Sequence, residues 1–571
     1  MGARRAMPEG DVRGALVAFG VAVLIAVAGW RLMWFLTDDA YISFRYVSNW
    51  LLGHGLTWNP PPFQPVEGYS NFLWVVLLTL AWLTTGVAPP DAANWLSLAF
   101  GLGTLGLAAH WLWRGLEGEP GRWRTALFAL ALLALVTNRT YLTWLSSGLE
   151  TAMMNALVLW WLYESTRVGR RGAAALPRLC LAAALLALTR PDGLGFWVAT
   201  GVIAAIVWRF GPVAEARRAA AFRSLAALLV PAVHLLWRRA TYGDWLPNTY
   251  YAKVVAPWPE MGLRYLASFV IEHAVWLWLL AMGVAGGLWL RRGGLAQARS
   301  RWIELVAPTL AIATLVAQVA YYALIVGGDH FEYRVFSHLV PLLVIALVFA
   351  LRSTGWTPRL QATVLAAFWL IGLAIPWTHW WHSHELDTRQ ETFWMRVPVA
   401  PHFPPGARAA VAWWDELQAE MIVASVGARH QEHKIFHRFQ VAAHPPREEG
   451  ARLPWRERHS LLAATVGVPS WTLPHVAVID ALGLNDRVIA RAPLDISKRD
   501  KRAMAHDRRG DSRYLHCFLP DVGYRAPTAE EMRTPLGPDV APGSMRRFVM
   551  VPREEPLTDE RIRECETRDW Y

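Results

Sequence analysis

Residues 14–39 read GALVAFGVAVLIAVAGWRLMWFLTDD, an apolar segment that ends in two adjacent aspartates, Asp38 and Asp39. An apolar stretch of about 20 residues is long enough to cross a bilayer as a helix. Acidic residues are costly at a membrane boundary, so their presence there indicates a functional site. Because no small-residue cleavage site closes the segment, we expect a retained membrane anchor.

The composition is typical of a membrane protein. Hydrophobic residues make up 54% of the 571 residues, and a soluble chain of this size would be less apolar. The 33 tryptophans lie mostly near the ends of apolar stretches, which suits the bilayer interface, although a compositional bias would also produce many tryptophans. A net charge of +11 would indicate nucleic acid in a soluble protein. Here the arginines fall between apolar stretches, so we expect the lipid bilayer, and no nucleic acid, as a partner.

The arginine clusters predict the topology, because basic loops mark the cytoplasmic side. The clusters are Arg4/Arg5/Arg13, Arg114/Arg122/Arg124, Arg167/Arg170/Arg171/Arg178, Arg209/Arg217/Arg218/Arg223, Arg291/Arg292/Arg299/Arg301 and Arg352/Arg359. Two crossings between consecutive clusters give about eleven spans, at 14–36, 92–113, 124–138, 151–166, 179–189, 194–208, 224–239, 266–290, 302–326, 335–351 and 360–378. We expect a multi-pass protein of the bacterial inner membrane, with a cytoplasmic N-terminus and an extracytoplasmic C-terminal region.

Three apolar stretches depart from simple crossings. The stretch 71–88 would place Arg114 outside if it crossed, so we expect a helix lying at the outer interface. The spans 179–189 and 194–208 are short, which predicts a partial hairpin.

This topology puts the polar motifs on the outer face. They are Asp38-Asp39, Glu67–Asn71, Ser147–Glu150, Arg190–Asp192, Gly243–Lys253 and Gly328–Arg334. Their convergence indicates an outward-facing active site, although outer loops are also polar for no functional reason.

The acidic pair suggests two different roles. Successive helical residues point about 100° apart, so one aspartate is expected to face the reacting centre while the other is hydrogen-bonded or holds a metal. We slightly favour Asp38 as the reacting group. A carboxylate facing a sugar hydroxyl can act as a general base, and a phosphate leaving group needs cations nearby. The candidate cations are Arg45, His54, Arg190, Lys253, His330 and Arg334, each of which is individually as compatible with a surface ion pair or a headgroup contact.

The C-terminal 379–571 lacks long apolar runs and is long enough for one α/β domain. Apolar runs at 461–468 and 475–480 predict buried strands, and 407–421 has helical spacing. Asp480 follows a strand, where loops bind ligands in α/β sheets, but a capped turn explains it equally well. Cys180 is expected to be a packing residue, whereas Cys517 and Cys565 form a disulfide only if this region lies outside the cytoplasm.

Several motifs together resemble a known family. They are Asp38–Tyr46, Gly53–Leu56, Val66–Trp74, Gly148–Thr151, Arg190–Gly193, Leu246–Lys253, Gly327–Asp329 and Val478–Asp486. The chain is similar in these motifs to the polytopic GT-C glycosyltransferases, and more narrowly to the terminal β-(1→2)-arabinofuranosyltransferases of the actinobacterial envelope and their bacterial relatives.

The resemblance implies a transmembrane core (1–378), an outer α/β domain (379–571) and a sugar, best guessed as arabinofuranose, moved from a polyprenyl-phosphate donor to a glycan acceptor. It implies catalysis at Asp38-Asp39, with a divalent cation (Mg or Mn) in some members, so any metal would lie at Asp38 or Asp39. The motif residues that become substrate-binding candidates are Glu67, Tyr69, Glu150, Asn248, Tyr250, Asp329 and Asp480. If a β-linked donor gives a β-linked product, an aspartate acts as nucleophile or ion-pair stabiliser instead of base.

Two other functions remain open. A transporter or flippase would favour inverted repeats and charged or broken helices at the midplane, neither of which is clear here. A non-catalytic envelope or motility regulator with the same fold would tolerate substitution of the acidic pair.

Overall fold

A computed structural model describes residues 9–210, 217–253, 256–393, 397–494, 496, 502–525, 528–535 and 548–571. Arg4 and Arg5 of the first arginine cluster lie outside these ranges. The helices up to residue 383 are α1 (Glu9–Leu32), α2 (Asp38–Leu51), α3 (Phe72–Thr85), α4 (Pro89–Gly115), α5 (Gly121–Val136), α6 (Arg139–Thr143), α7 (Thr151–Arg171), α8 (Leu176–Thr189), α9 (Gly193–Phe210), α10 (Arg217–Tyr242), α11 (Asn248–Lys253), α12 (Pro259–Glu272), α13 (Val275–Arg291), α14 (Gly294–Ser300), α15 (Trp302–Tyr321), α16 (Leu339–Thr354) and α17 (Pro358–Ser383).

The membrane-spanning character is confirmed, but the expected number of spans was too high. Within the described residues, 8 helices are long and apolar enough to cross a membrane, or up to 9 if the pair α12–α13, bent by 78°, is one span. The predicted span 124–138 is α5, whose 16 residues rise only about 24 Å, less than the hydrocarbon core. The predicted spans 151–166 and 179–189 both fall within the helical stretch Thr151–Thr189.

The predicted interface helix corresponds to α3, but the hairpin arms are longer than predicted, since Gly193–Phe210 is by itself long and apolar enough to cross a membrane. The helix α3 has 14 residues, too few to cross the bilayer, and its orientation at the interface stays a prediction. The helices α8 and α9 pack against each other. A Cβ atom at Gly193 would lie 2.0 Å from the Leu186 carbonyl oxygen, so only glycine allows this close turn.

The C-terminal region contains the expected mixture of helices and strands. Its helices are α18 (Arg389–Phe393), α19 (Pro405–Val423), α20 (His430–Ala443), α21 (Arg447–Gly450), α22 (Gly467–Thr472), α23 (Arg487–Arg491), α24 (Ser512–Cys517), α25 (Ala529–Arg533) and α26 (Asp559–Thr567). Its strands are β1 (Ser460–Ala463), β2 (Ala477–Asp480), β3 (Val522–Tyr524) and β4 (Phe548–Met550). They form one sheet in the order β2-β1-β3-β4. The strand β1 is parallel to β2 and β3, and β3 is antiparallel to β4.

Several local predictions can be checked against the structure. The predicted helix 407–421 is α19, and the second strand is β2. The first strand was predicted too long, because it ends at Ala463 and residues 467–472 form α22. Cys517 and Cys565 form a disulfide, and Cys180 is buried. The predicted domain boundary at 378/379 falls inside α17.

Buried ionic contacts hold the C-terminal region against the helices. Arg429 lies 3.0 Å from Glu272 and 3.0 Å from Glu332. Arg139 makes two hydrogen bonds, of 3.0 and 2.9 Å, to Glu332. All four side chains are buried, so each charge depends on its partners. Because Glu332 belongs to the loop 327–334, this network fixes a loop that carries three candidate site residues.

Candidate active site

A cavity of about 670 Å³ lies beside the acidic pair. Its polar lining includes Asp39, Tyr69, Asn71, Glu150, Arg190, Asp192, Tyr250, Lys253, Gln318, Tyr322, Asp329, His330 and Arg334. One flank is apolar and comes from α9 and α15, with Phe196, Val198, Ala199 and Ala317 in its wall. Val198 keeps 58% of its surface exposed. The cavity therefore has a charged side, which contains Asp39 and Lys253, and an apolar side on the outside of the helix bundle.

The two aspartates point in different directions, as helix geometry requires. They begin α2, after Thr37 caps it. The Asp38 carboxylate accepts hydrogen bonds from the backbone amides of Gly467 (3.0 Å) and Val468 (2.8 Å). Asp39 lines the cavity and accepts no hydrogen bond from the described residues. The placement therefore favours Asp39 as the reacting group and Asp38 as a support, the reverse of the preference drawn from the sequence.

The surroundings shift the pKa values of these two carboxylates in opposite directions. Burial raises the pKa of Asp38 to about 7, and the charge of Asp39 adds to the effect, although the bonds from Val468 and Gly467 oppose it. Burial also acts to raise the pKa of Asp39, but the positive charges of Lys253 and other cations outweigh it, so the pKa of Asp39 lies below its ordinary value. Asp39 is therefore ionised at neutral pH.

Lys253 and His330 provide polar groups opposite Asp39. Lys253 ends α11, lines the cavity, and makes no ion pair or hydrogen bond with the described residues. The Nδ1 atom of His330 lies 2.8 Å from the Ser425 carbonyl oxygen, so Nδ1 is the donor and Nε2 keeps a lone pair when the ring is neutral. Burial lowers the pKa of His330, which favours that neutral form.

The two arginines of the cavity are already paired with acids. Arg334 donates two hydrogen bonds, of 2.8 and 3.0 Å, to Asp329. Arg190 donates to Asp192 at 3.0 Å and to Glu150 at 3.2 Å. These pairs fix the guanidinium groups at the cavity wall. Among the lining residues that the structure describes, Lys253 is the cation without an acidic partner.

Two predicted phosphate ligands lie away from the cavity. The buried Arg45 guanidinium donates to backbone carbonyls of Trp58, Ser470, Leu473, Pro474 and Val476. It therefore joins the C-terminal region to α2. His54 follows the far end of α2, and the 14 residues of that helix span about 21 Å, which separates His54 from Asp39.

Three residues that were predicted to bind substrate make hydrogen bonds within the protein instead. Glu67 accepts hydrogen bonds of 2.6 and 3.1 Å from Arg238, and burial raises the pKa of Glu67 to about 7. The Asn248 amide donates to the carbonyls of Gly483 and Leu484. Asp480 accepts backbone hydrogen bonds from 482, 483 and 485, which makes the turn after β2 a capped one.

The cavity also contains residues that were not assigned from the sequence. Asp192 accepts hydrogen bonds from Gln318 at 2.8 Å and from the Tyr322 hydroxyl at 3.0 Å. Its position two residues after Arg190 was the available signal. Gln318 and Tyr322 carried none, because they lie in or directly after an ordinary apolar helix. Met504 joins the lining from the C-terminal region.

The donor set does not fit a divalent cation. Such ions need several free carboxylate or carbonyl oxygens, but Asp38 is bonded to amides and Asp329 to Arg334. Within the described part of the chain, no group of three or more His, Cys, Asp or Glu side chains can hold a metal ion. Asp39 lies instead among positive charges, a setting that suits an anionic ligand beside the carboxylate.

The chain aligns with known proteins in sequence and in structure. No protein-family model matches the chain. ArnT from Cupriavidus metallidurans aligns in its apo state with a TM-score of 0.48 and 14% identity over 89% of this chain and 92% of that chain. Bound to undecaprenyl phosphate, it aligns with a TM-score of 0.49 and 13% identity over 83% of this chain and 87% of that chain. A terminal β-(1→2)-arabinofuranosyltransferase of Corynebacterium glutamicum is 27% identical over 424 residues, which cover 66% of this chain. The chain spans only 58% of the length of that relative. In sequence this chain is thus similar to a terminal β-(1→2)-arabinofuranosyltransferase, which confirms the resemblance indicated by its motifs.

Proposed function

We propose that the protein transfers a sugar from a polyprenyl-phosphate donor to a hydroxyl group of an envelope glycan. The observation that carries this proposal is the ionised Asp39 beside Lys253 in a cavity with an apolar flank, neither side chain being bonded to any residue in the described ranges. A carboxylate suits the acceptor hydroxyl, an ammonium suits the donor phosphate, and apolar helices suit an isoprenoid chain.

Individual residues can then be assigned to the steps of this reaction. The acceptor oxygen bonds to the anomeric carbon and gives its proton to Asp39. The bond from that carbon to the phosphate oxygen breaks, and Lys253 stabilises the negative charge of the departing polyprenyl phosphate. Asp38 is a positioning residue, because it reaches the backbone of α22 and not the cavity.

Arabinofuranose is the sugar we propose, supported by the motifs and by the activity named for the Corynebacterium relative. If the donor and the product are both β-linked, the configuration is retained. Asp39 then attacks the anomeric carbon or stabilises a short-lived sugar cation, instead of acting as a simple base.

We further propose that the cavity faces the extracytoplasmic side. The arginine clusters at the opposite helix ends are typical of cytoplasmic loops. The Cys517–Cys565 disulfide suits an oxidising compartment.

Purified protein assayed with polyprenyl-phospho-arabinofuranose and an arabinan acceptor tests the function. We expect Asp39→Asn to lower kcat by about 10²- to 10⁴-fold. The matched control is Asp91→Asn, which removes an exposed carboxylate outside the cavity and is expected to keep normal activity. Full activity of Asp39→Asn would exclude this mechanism. Movement of the donor across vesicles without a glycosidic product would instead indicate a flippase.

A further inference from the structure

A second cavity, of about 660 Å³, lies at the other end of the bundle. It is bounded by α4, α7 and α16. Its basic lining consists of His110, Arg114, Arg167, Arg170, Arg171 and Arg352. We call this cavity the basic pocket.

The basic pocket lies about one bilayer core away from the candidate active site. Glu150, which lines the active-site cavity, directly precedes α7, and Arg170 and Arg171 form the last turn of that helix. Its 21 residues rise about 30 Å, which matches the hydrocarbon thickness. The pocket is therefore placed at the opposite membrane surface, where inner-leaflet headgroups lie if the active site faces outward.

The described residues neutralise only part of the charge of the basic pocket. Arg167 pairs with Glu164 at 2.8 Å and Arg352 with Glu119 at 3.1 Å. The other three arginines, Arg114, Arg170 and Arg171, are exposed and make no ion pair with the described residues. Like charges brought together from separate helices repel one another, so a bound anion would relieve this repulsion.

The walls of the pocket are aromatic. Trp111 packs edge-on against Tyr163 and Phe349, with ring centroids 5.4 and 6.0 Å away. A Cβ atom at Gly115 would lie 1.9 Å from the Phe349 ring, so glycine allows the close approach of α4 and α16 there. Aromatic rings beside cations are typical of a site at the headgroup level, whereas a soluble anion needs no such wall.

We propose that the basic pocket binds the headgroup of an anionic glycerophospholipid of the adjacent leaflet. Its phosphate lies against Arg114, Arg170 and Arg171, and its glycerol backbone lies against the aromatic wall. Basic pockets between transmembrane helices bind such headgroups elsewhere. The proposal does not depend on the sugar-transfer reaction.

Native mass spectrometry of the detergent-purified full chain, titrated with phosphatidylglycerol, tests this site. We expect R114Q/R170Q/R171Q to weaken lipid binding about a hundredfold. The matched control R209Q/R223Q/R299Q removes the same charge from helix ends outside the pocket and is expected to bind as the unmodified protein does. R114K/R170K/R171K keeps the charge and is expected to retain most of the binding.

Other outcomes would overturn the proposal. Equal losses in the two Gln variants would indicate unspecific surface attraction. Equal binding of phosphatidylcholine would remove the role of the anionic headgroup. Competition by millimolar inorganic phosphate would indicate a soluble phosphate ligand. A normal melting temperature for each variant ensures that lost binding does not reflect misfolding.

Discussion

Asp39 and Lys253 lie in the same cavity without a direct bond, and the charge of Lys253 lowers the pKa of Asp39. Asp38, one residue earlier, is held by two backbone amides. Two chemically identical side chains thus differ completely in what they contact. Substitutions of Lys253 and of Asp38 therefore test the two roles separately.

Lys253→Gln is expected to shift the pH dependence of kcat/KM. Removing the ammonium raises the pKa of Asp39, so the active ionised form is lost at a higher pH as the solution is acidified. The acidic limb of the profile therefore moves upward in pH, and Lys253→Arg restores it. An unchanged limb in Lys253→Gln would show that Asp39 is not the titrating group.

Asp38→Ala is expected to destabilise the protein, because the amides of Gly467 and Val468 lose their acceptor inside the fold. Buried donors left without a partner cost about 1–3 kcal/mol. Thermal unfolding in detergent measures the change. Asp39→Asn is the matched control and should melt near the original temperature, since Asp39 accepts no hydrogen bond from the described residues.

At the scale of elements, the loop 327–334 matters most. Its backbone pairs with the C-terminal region, since the Gly427 amide donates to Asp329 at 2.9 Å and the Ala428 amide to His330 at 2.8 Å. Its carboxylate Glu332 belongs to the buried network with Arg139 and Arg429. The position of this loop therefore depends on the contact between the helices and the C-terminal region.

Arg429→Gln is expected to loosen this loop. Breaking a buried ion pair by removing one partner costs about 3–5 kcal/mol. We expect faster amide exchange over 327–334 and lower activity, while Arg456→Gln, which alters an exposed arginine, changes neither. Unaltered exchange in Arg429→Gln would mean that the loop is held by its backbone alone.

Sequence patterns predicted the local elements and the motif residues, but not the long-range partners. Asp39, Arg190 and Asp329 were identified because each lies in a compact polar motif beside an apolar span. Arg45 lies in an equally good motif, yet four of its five carbonyl acceptors lie 425 to 431 residues away. No local sequence pattern indicates such distant partners, so the structural role of Arg45 could not be predicted.

For the whole molecule, the orientation in the membrane is the decisive property. In cells, we expect a membrane-impermeant maleimide to label Glu385→Cys, beyond α17, but not Arg299→Cys, on the arginine-rich side. Native background should be low, because Cys180 is buried and the other cysteines form a disulfide. Permeabilised cells provide the control, in which both variants react. The reverse labelling pattern would invert the proposed topology.

The bond between Asp38 and α22 also has a consequence for biosynthesis. The Gly467 amide that holds Asp38 lies 429 residues further along the chain. The acidic pair therefore leaves the ribosome long before its support exists. A nascent chain that has inserted every helix up to α17 still lacks the amides that hold Asp38 until its last third has been made and has folded. Completion of the proposed site is thus tied to completion of translation.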